Sequence, residues 1–243
     1  MGKMFNEGFV KYNGANIHYI DLNSEKDKAL VFLHGNGEDL NIFKYQYKYF
    51  LSKYRIIGID SRGHGQSTCD NSELSLLNMA EDVCGVLNEL KIEKADFVGF
   101  SDGANVLLYL ALCNPKYIDK MILIGANYNT SGLINTTKVL SKAEYFASYL
   151  LTGLKLSDEY KDKMKQLNLM LKEPNIKRSQ LNEIDIPTLV MASEYDEIKK
   201  SHTISLHKNI KDSELCIIKK ADHYSIVKKP NTVNNNIDEF LSK

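Results

Sequence analysis

Three residues of this chain have the types and order needed for acyl transfer: a serine between glycines, a carboxylate well downstream, and a histidine near the C-terminus. Ser101 lies in "KADFVGFSDGANVLLYLALC", residues 94–113. An apolar run ends at Gly99, the serine follows within G-x-S-x-G, and a second apolar-periodic run opens behind it. This is the setting of a sharp strand-to-helix turn that holds a hydroxyl out into a cleft. Gly99 and Gly103 remove side chains that would collide as strand and helix close on each other. A serine before a helix can also be a plain N-cap, but the flanking glycines fit that role poorly.

A serine hydroxyl is a weak nucleophile at neutral pH. It needs a base, and the base needs a carboxylate to orient it. The histidines stand at 18, 34, 64, 202, 207 and 223. His223, in "KKADHYS", follows the last apolar run, and Asp196, in "ASEYDEI", follows the run before it. Both therefore belong at the carboxyl edge of a parallel sheet, where sites collect. Ser101, Asp196, His223 is one of the chain orders in which such a triad occurs. Glu194, Glu197 and Asp185 compete with Asp196, and Glu194 is the runner-up. His202 and His207 fall on an expected helix and read as surface residues. The Asp102 backbone N–H is placed to receive an oxyanion. Its carboxylate suits a helix N-terminus, but beside an oxyanion it has to point away.

The elements that would position these residues alternate between short apolar runs and longer helical patterns. Strands are expected at 16–20, 29–33, 55–60, 94–100, 119–125, 187–193 and 214–220. Helices are expected at 43–51, 74–90, 102–113, near 200–209 and at 231–241. Near-continuous apolar strands separated by helices imply a parallel sheet covered on both faces. Between residues 128 and 184 strand signals stop, and helical patterns occupy 138–151 and 157–172. The expectation is one α/β core domain, 1–127 with 185–243, carrying a helical lid insertion at 128–184. The insertion bears Tyr145, Phe146, Tyr149, Leu150, Met164, Leu167, Met170 and Leu171. Such a stripe is first a packing face. Over a serine it would also line a pocket for an apolar or uncharged acyl group.

Bulk properties narrow the function classes. The 243 residues carry 31 basic and 31 acidic side chains, so no global field draws nucleic acid or an anionic membrane. No apolar stretch suits a membrane span or a signal peptide, and Asn6 stands where a myristoylation signal needs Ser or Thr. Four cysteines without C-x-x-C spacing suggest free thiols in a reducing, cytoplasmic setting. "GNGED" lacks the Lys-Ser or Lys-Thr of a phosphate loop. The expected partner is a small molecule, with no nucleic acid and no membrane, and the chain is expected to be a monomer or small homo-oligomer.

The motifs "LVFLHGNGED" (30–39), "IIGIDSRGHGQS" (56–67), "FVGFSDGANVL" (97–107), "IDIPTLVMASEYD" (184–196) and "IIKKADH" (217–223) together resemble the α/β-hydrolase superfamily in its small serine-esterase branch. The resemblance implies an eight-stranded, mostly parallel sheet with a helical lid after the sixth strand. It implies a catalytic triad of Ser101, Asp196 and His223, with no metal or organic cofactor. It implies an oxyanion hole from the N–H groups of Asp102 and Asn36, with Gly37 as the alternative to Asn36. His34, Arg62 and His64 take structural roles in that pattern. Ser193 and Lys220 stand where glycines are usual. The implied activity is hydrolysis of a small carboxylic ester. The alternatives are the same triad on a thioester, amide, lactone or C–C bond, or a small-molecule receptor built on the same fold.

Overall fold

The computed structural model describes residues 5–70, 74–153 and 159–243. In chain order its elements are β1 (Phe5–Tyr12), β2 (Ala15–Leu22), β3 (Ala29–Leu33), α1 (Lys44–Phe50), β4 (Arg55–Ile59), α2 (Leu76–Glu89), β5 (Ala95–Phe100), α3 (Asp102–Cys113) and β6 (Ile118–Ile124). There follow α4 (Asn135–Gly153), α5 (Glu159–Lys172), α6 (Arg178–Leu181), β7 (Thr188–Tyr195), α7 (Lys200–Asn209), β8 (Ser213–Asp222), α8 (Ser225–Lys228) and α9 (Pro230–Leu241). Residues 157 and 158 of the second helix expected in the insertion lie outside the described residues.

The eight strands form one sheet in the order β1-β2-β4-β3-β5-β6-β7-β8. β1 and β2 pair antiparallel, as do β2 and β4, and the remaining pairs are parallel. The expected eight-stranded, mostly parallel sheet is what the chain forms. Every residue of β3 and β5 is buried, because helices cover both faces. Val31 and Leu33 of β3 pack with Val83 and Leu87 of α2 and Leu107 of α3. Leu30 and Phe32 face the other way, into a cluster with Phe50 of α1 and Ile237 and Phe240 of α9.

β1 is an addition to the strands expected from apolar runs. It turns into β2 through Asn13 and Gly14, at φ +41° and +76°, an Asn-Gly pair suited to a two-residue hairpin loop. α4 and α5 lie between β6 and β7 and pack on each other. The α5 end is tied to the sheet domain. Gln166 Nε2 donates to Gly63 O at 3.0 Å, and Glu173 accepts from Leu76 N at 2.9 Å. Among the described residues no helix is long and apolar enough to cross a membrane.

Candidate active site

Parallel strands deliver the candidate residues to one edge. Asn36 follows β3, Ser101 follows β5, Asp196 follows β7 and His223 follows β8, each at the carboxyl end of its strand. Ser101 has φ +52° and ψ −119°, a conformation that costs a non-glycine residue on the order of 1–3 kcal/mol. The surrounding bonds hold it there. Its N–H donates to Ile124 O at 2.8 Å, and its carbonyl accepts from Ala104 N and Asn105 N at 3.0 and 3.1 Å. A Cβ on Gly99 would lie 2.6 Å from Ala104 N, and one on Gly103 would run into the Leu33 carbonyl. The glycines are therefore what lets α3 start this close to β3 and β5. Although Ser101 precedes α3, its side chain makes no capping hydrogen bond. The hydroxyl is not used to finish the helix.

His223 Nδ1 lies 2.7 Å from Asp196 Oδ1. Asp196 also accepts from Ser193 N at 2.9 Å and Ile198 N at 3.2 Å. Burial pushes the Asp196 carboxyl up, but the His223 contact and these two N–H groups outweigh it and hold it below the usual carboxylate range. An ionised Asp196 accepts, so Nδ1 carries the hydrogen and Nε2 keeps its lone pair. Burial pushes His223 down, while Asp196 first, then Glu197 and Glu38, bring it above the ordinary histidine value. Phe100 supports the imidazole with ring centroids 4.9 Å apart. Gly125, at φ +64°, backs it on another side: a Cβ there would sit 2.7 Å from His223 Cε1. No hydrogen bond joins His223 to Ser101 in this structure, but both line one cavity of about 290 Å³.

The rival carboxylates sit elsewhere. Glu194 is exposed and accepts from Lys220 N at 2.8 Å, and Asp185 is exposed. Lys220, where a glycine is usual, has φ +50°, the region in which glycine is the unstrained residue. At position 193 it is the backbone N–H that bonds Asp196, a contact a serine makes as a glycine would.

None of the other histidines lines the cavity shared by Ser101 and His223. His34 Nε2 accepts from Ser61 N at 3.0 Å, so its Nδ1 donates to Gly35 O at 2.7 Å, and burial lowers its pKa. Burial brings His64 down to about 4. Arg62 is buried in a two-pronged pair with Asp82, both contacts at 2.6 Å. His202 corrects the surface expectation. It is buried, stacked on Tyr128 at 3.9 Å between ring centroids, and its Nε2 accepts from Tyr128 N at 3.2 Å.

The N–H groups of Asn36, Gly37 and Asp102 have no hydrogen-bond partner among the described residues. Asn36 lines the cavity with Ser101, whereas Gly37 does not. The Asp102 carboxylate is turned to two side-chain amides: Oδ2 accepts from Asn36 at 2.9 Å and Oδ1 from Asn105 at 3.0 Å.

Sequence reasoning missed Glu38. Burial pushes its carboxyl up to about 7, opposed by the Gly35 N–H and by His223. It lines the same cavity as Ser101 and His223. Of the apolar stripe expected to face the serine, Leu167 and Met170 do line that cavity. Tyr145 and Met164 line a different one beside Leu74, and Phe146, Tyr149 and Leu150 are exposed.

Comparison with known proteins agrees with this fold. Residues 28–158 match the family model described as the alpha/beta hydrolase fold. The human serine hydrolase BPHL is 27% identical over 96% of this chain and 85% of its own length. The 3-oxoadipate enol-lactonase 2 of Acinetobacter baylyi is 23% identical over 93% of each chain. Among solved structures, carboxylesterase CesB of Bacillus subtilis superposes with a TM-score of 0.80 at 17% identity, covering 98% of this chain and 92% of its own.

Proposed function

Because this chain belongs to the alpha/beta-hydrolase family, we propose that it cleaves a small carboxylic ester through an acyl-enzyme on Ser101. The observation that carries this reading is the pairing of a strained, uncapped Ser101 with an Asp196-held His223 on the wall of one cavity. His223 Nε2 takes the Oγ proton as Oγ attacks the ester carbonyl carbon. The carbonyl π pair moves to oxygen, and the Asn36 and Asp102 N–H groups receive the charge. Asp196 stabilises the imidazolium without itself taking the proton. Collapse expels the alcohol oxygen, which leaves with the proton from Nε2. Water then attacks the acyl-enzyme by the same route and frees the carboxylic acid.

The cavity wall bears on the substrate. Leu140, Leu167 and Met170 offer apolar contact, while Glu144 and Glu197 outnumber Lys163 and Glu38 adds partial charge near neutral pH. An anionic acyl group would meet like charge, so the acyl portion is apolar or uncharged. α4 and α5 serve as the lid that supplies Leu140, Glu144, Lys163, Leu167 and Met170. A lactone is the alternative bond, favoured by similarity to the enol-lactonase over nearly the whole chain. It is an ester closed on itself and needs the same groups.

A fluorophosphonate probe tests the reading. It should label wild type and leave Ser101→Ala unlabelled, and short-chain p-nitrophenyl esters should turn over faster than matched thioesters. An unlabelled wild type that turns over no ester or lactone would remove the hydrolase assignment.

A further inference from the structure

The mechanism uses the backbone N–H of Asp102 and leaves its carboxylate without a task. That carboxylate is buried within hydrogen-bonding distance of the loop that carries the second oxyanion donor. We propose that the Asp102 carboxylate is a positioning group: through the Asn36 side-chain amide it clamps the loop after β3 to the start of α3, and so sets the spacing of the two N–H groups that receive the oxyanion. The inference rests on the assignment of those two N–H groups above.

Loop composition gives a clamp something to do. The segment His34-Gly35-Asn36-Gly37 contains two glycines, and Gly37 sits at φ +73°. Glycines have more conformational freedom to lose on folding than other residues. An oxyanion donor, however, is effective only when held about 2.7–3.1 Å from where the charge develops. His34 is held by Ser61 N–H and Gly35 by the Glu38 carboxylate, whereas Asn36 is held through its side chain by Asp102 and Gln166.

The polar chain around Asp102 fixes each amide in one orientation. Asn105 Oδ1 accepts from Asn127 N at 2.9 Å, which turns Asn105 Nδ2 toward Asp102 Oδ1 and Asn127 Oδ1, both at 3.0 Å. The Asn36 Nδ2 has acceptors on both sides, Asp102 Oδ2 and the Gln166 carbonyl of α5, each at 2.9 Å. Its two hydrogens are thereby assigned, one to the nucleophile helix and one to the helical insertion. Hydrogen bonds to a carboxylate are stronger than those between neutral groups. Both oxygens of Asp102 are turned to amides, so its charge is directed away from the oxyanion site. Burial raises the pKa of this carboxyl, and the Asn36 and Asn105 amides pull it back.

The decisive experiment compares Asn36→Ala, Asp102→Ala, the double variant and the exchange Asn36→Asp/Asp102→Asn on a p-nitrophenyl ester. Each single variant should lower kcat roughly 10- to 100-fold with KM held within about threefold. The double variant should be no slower than the worse single, because the two side chains act as one unit. The exchange rebuilds the bond with donor and acceptor reversed and should return kcat to near wild type. It also sets a carboxylate against the Gln166 carbonyl, so KM should rise. Losses that multiply in the double variant, or an exchange as slow as the singles, would overturn the clamp. If the exchange fails to fold by circular dichroism, the double-variant comparison decides alone. If wild type hydrolyses no ester, hydrogen exchange decides: protection over residues 34–38 should fall in Asp102→Ala, and unchanged protection overturns the proposal.

Discussion

The molecule holds two histidine–aspartate pairs of nearly the same geometry. His223 Nδ1 lies 2.7 Å from Asp196, and His18 Nδ1 lies 2.8 Å from Asp60. The difference is at the other ring nitrogen. His18 Nε2 is closed off by Glu7 at 2.7 Å, and Gln66 reaches the same carboxylate. His223 Nε2 has no such cap and its ring borders the cavity that Ser101 lines. Asp60 spends its remaining capacity on the Leu40 and Gln66 N–H groups, tying two loops together. A carboxylate-held imidazole is thus a common structural joint. It becomes a base only when its second nitrogen is left open beside a nucleophile.

The largest expected effect breaks this contrast outright. Ser101→Ala and His223→Ala should each lower kcat by about 10⁶-fold. His18→Ala should leave turnover within a few-fold and instead lower the melting temperature. Steady-state kinetics and thermal melts on the same preparations check both halves, and an inactive but fully folded His18→Ala would erase the distinction.

Next in size is the carboxylate. Asp196→Asn should cost on the order of 10⁴-fold in kcat, because an amide can hold the ring in the wrong tautomer. Glu194→Gln, altering an exposed side chain bonded to Lys220 N–H, should stay within about twofold, the scatter of ordinary surface substitutions. Equal losses in the two variants would reassign the acid.

The smallest effect is a displacement of the pH profile. His223 must be neutral to act as base, so kcat/KM should fall as pH is lowered through its raised pKa. Glu38 is one of the carboxylates that raise it. In Glu38→Gln the imidazolium loses that support, and the acid limb should move to lower pH. A limb that stays in place would mean the two groups do not sense each other.

Much of this was legible in the chain because it is written in local residue order. The turn around Ser101 needs glycines at 99 and 103, and β3 and β5 need unbroken apolar runs. Asp196 and His223 each follow such a run. β1 escaped notice because its exposed and buried residues mix, with Phe9 half-exposed and Val10 buried; the Asn13-Gly14 pair was its one signal. His202 and Glu38 were out of reach for another reason. The first is buried by Tyr128 and the second by Gly35 and the region of His223, and no periodicity on their own segments announces those neighbours. The direction of the Asp102 carboxylate likewise depends on Asn36, brought beside it only when β3 and β5 pair.

Gly125 carries a consequence of a different kind. Because the imidazole rests against its bare α-carbon, the base is kept in place by missing volume as well as by bonds. A single methyl group at that point would act as a wedge and tip the ring from Asp196. All reacting groups, charges and hydrogen-bonding atoms would still be present in the sequence. In the mechanism proposed above, Gly125→Ala would therefore lower turnover while leaving every reacting group in place.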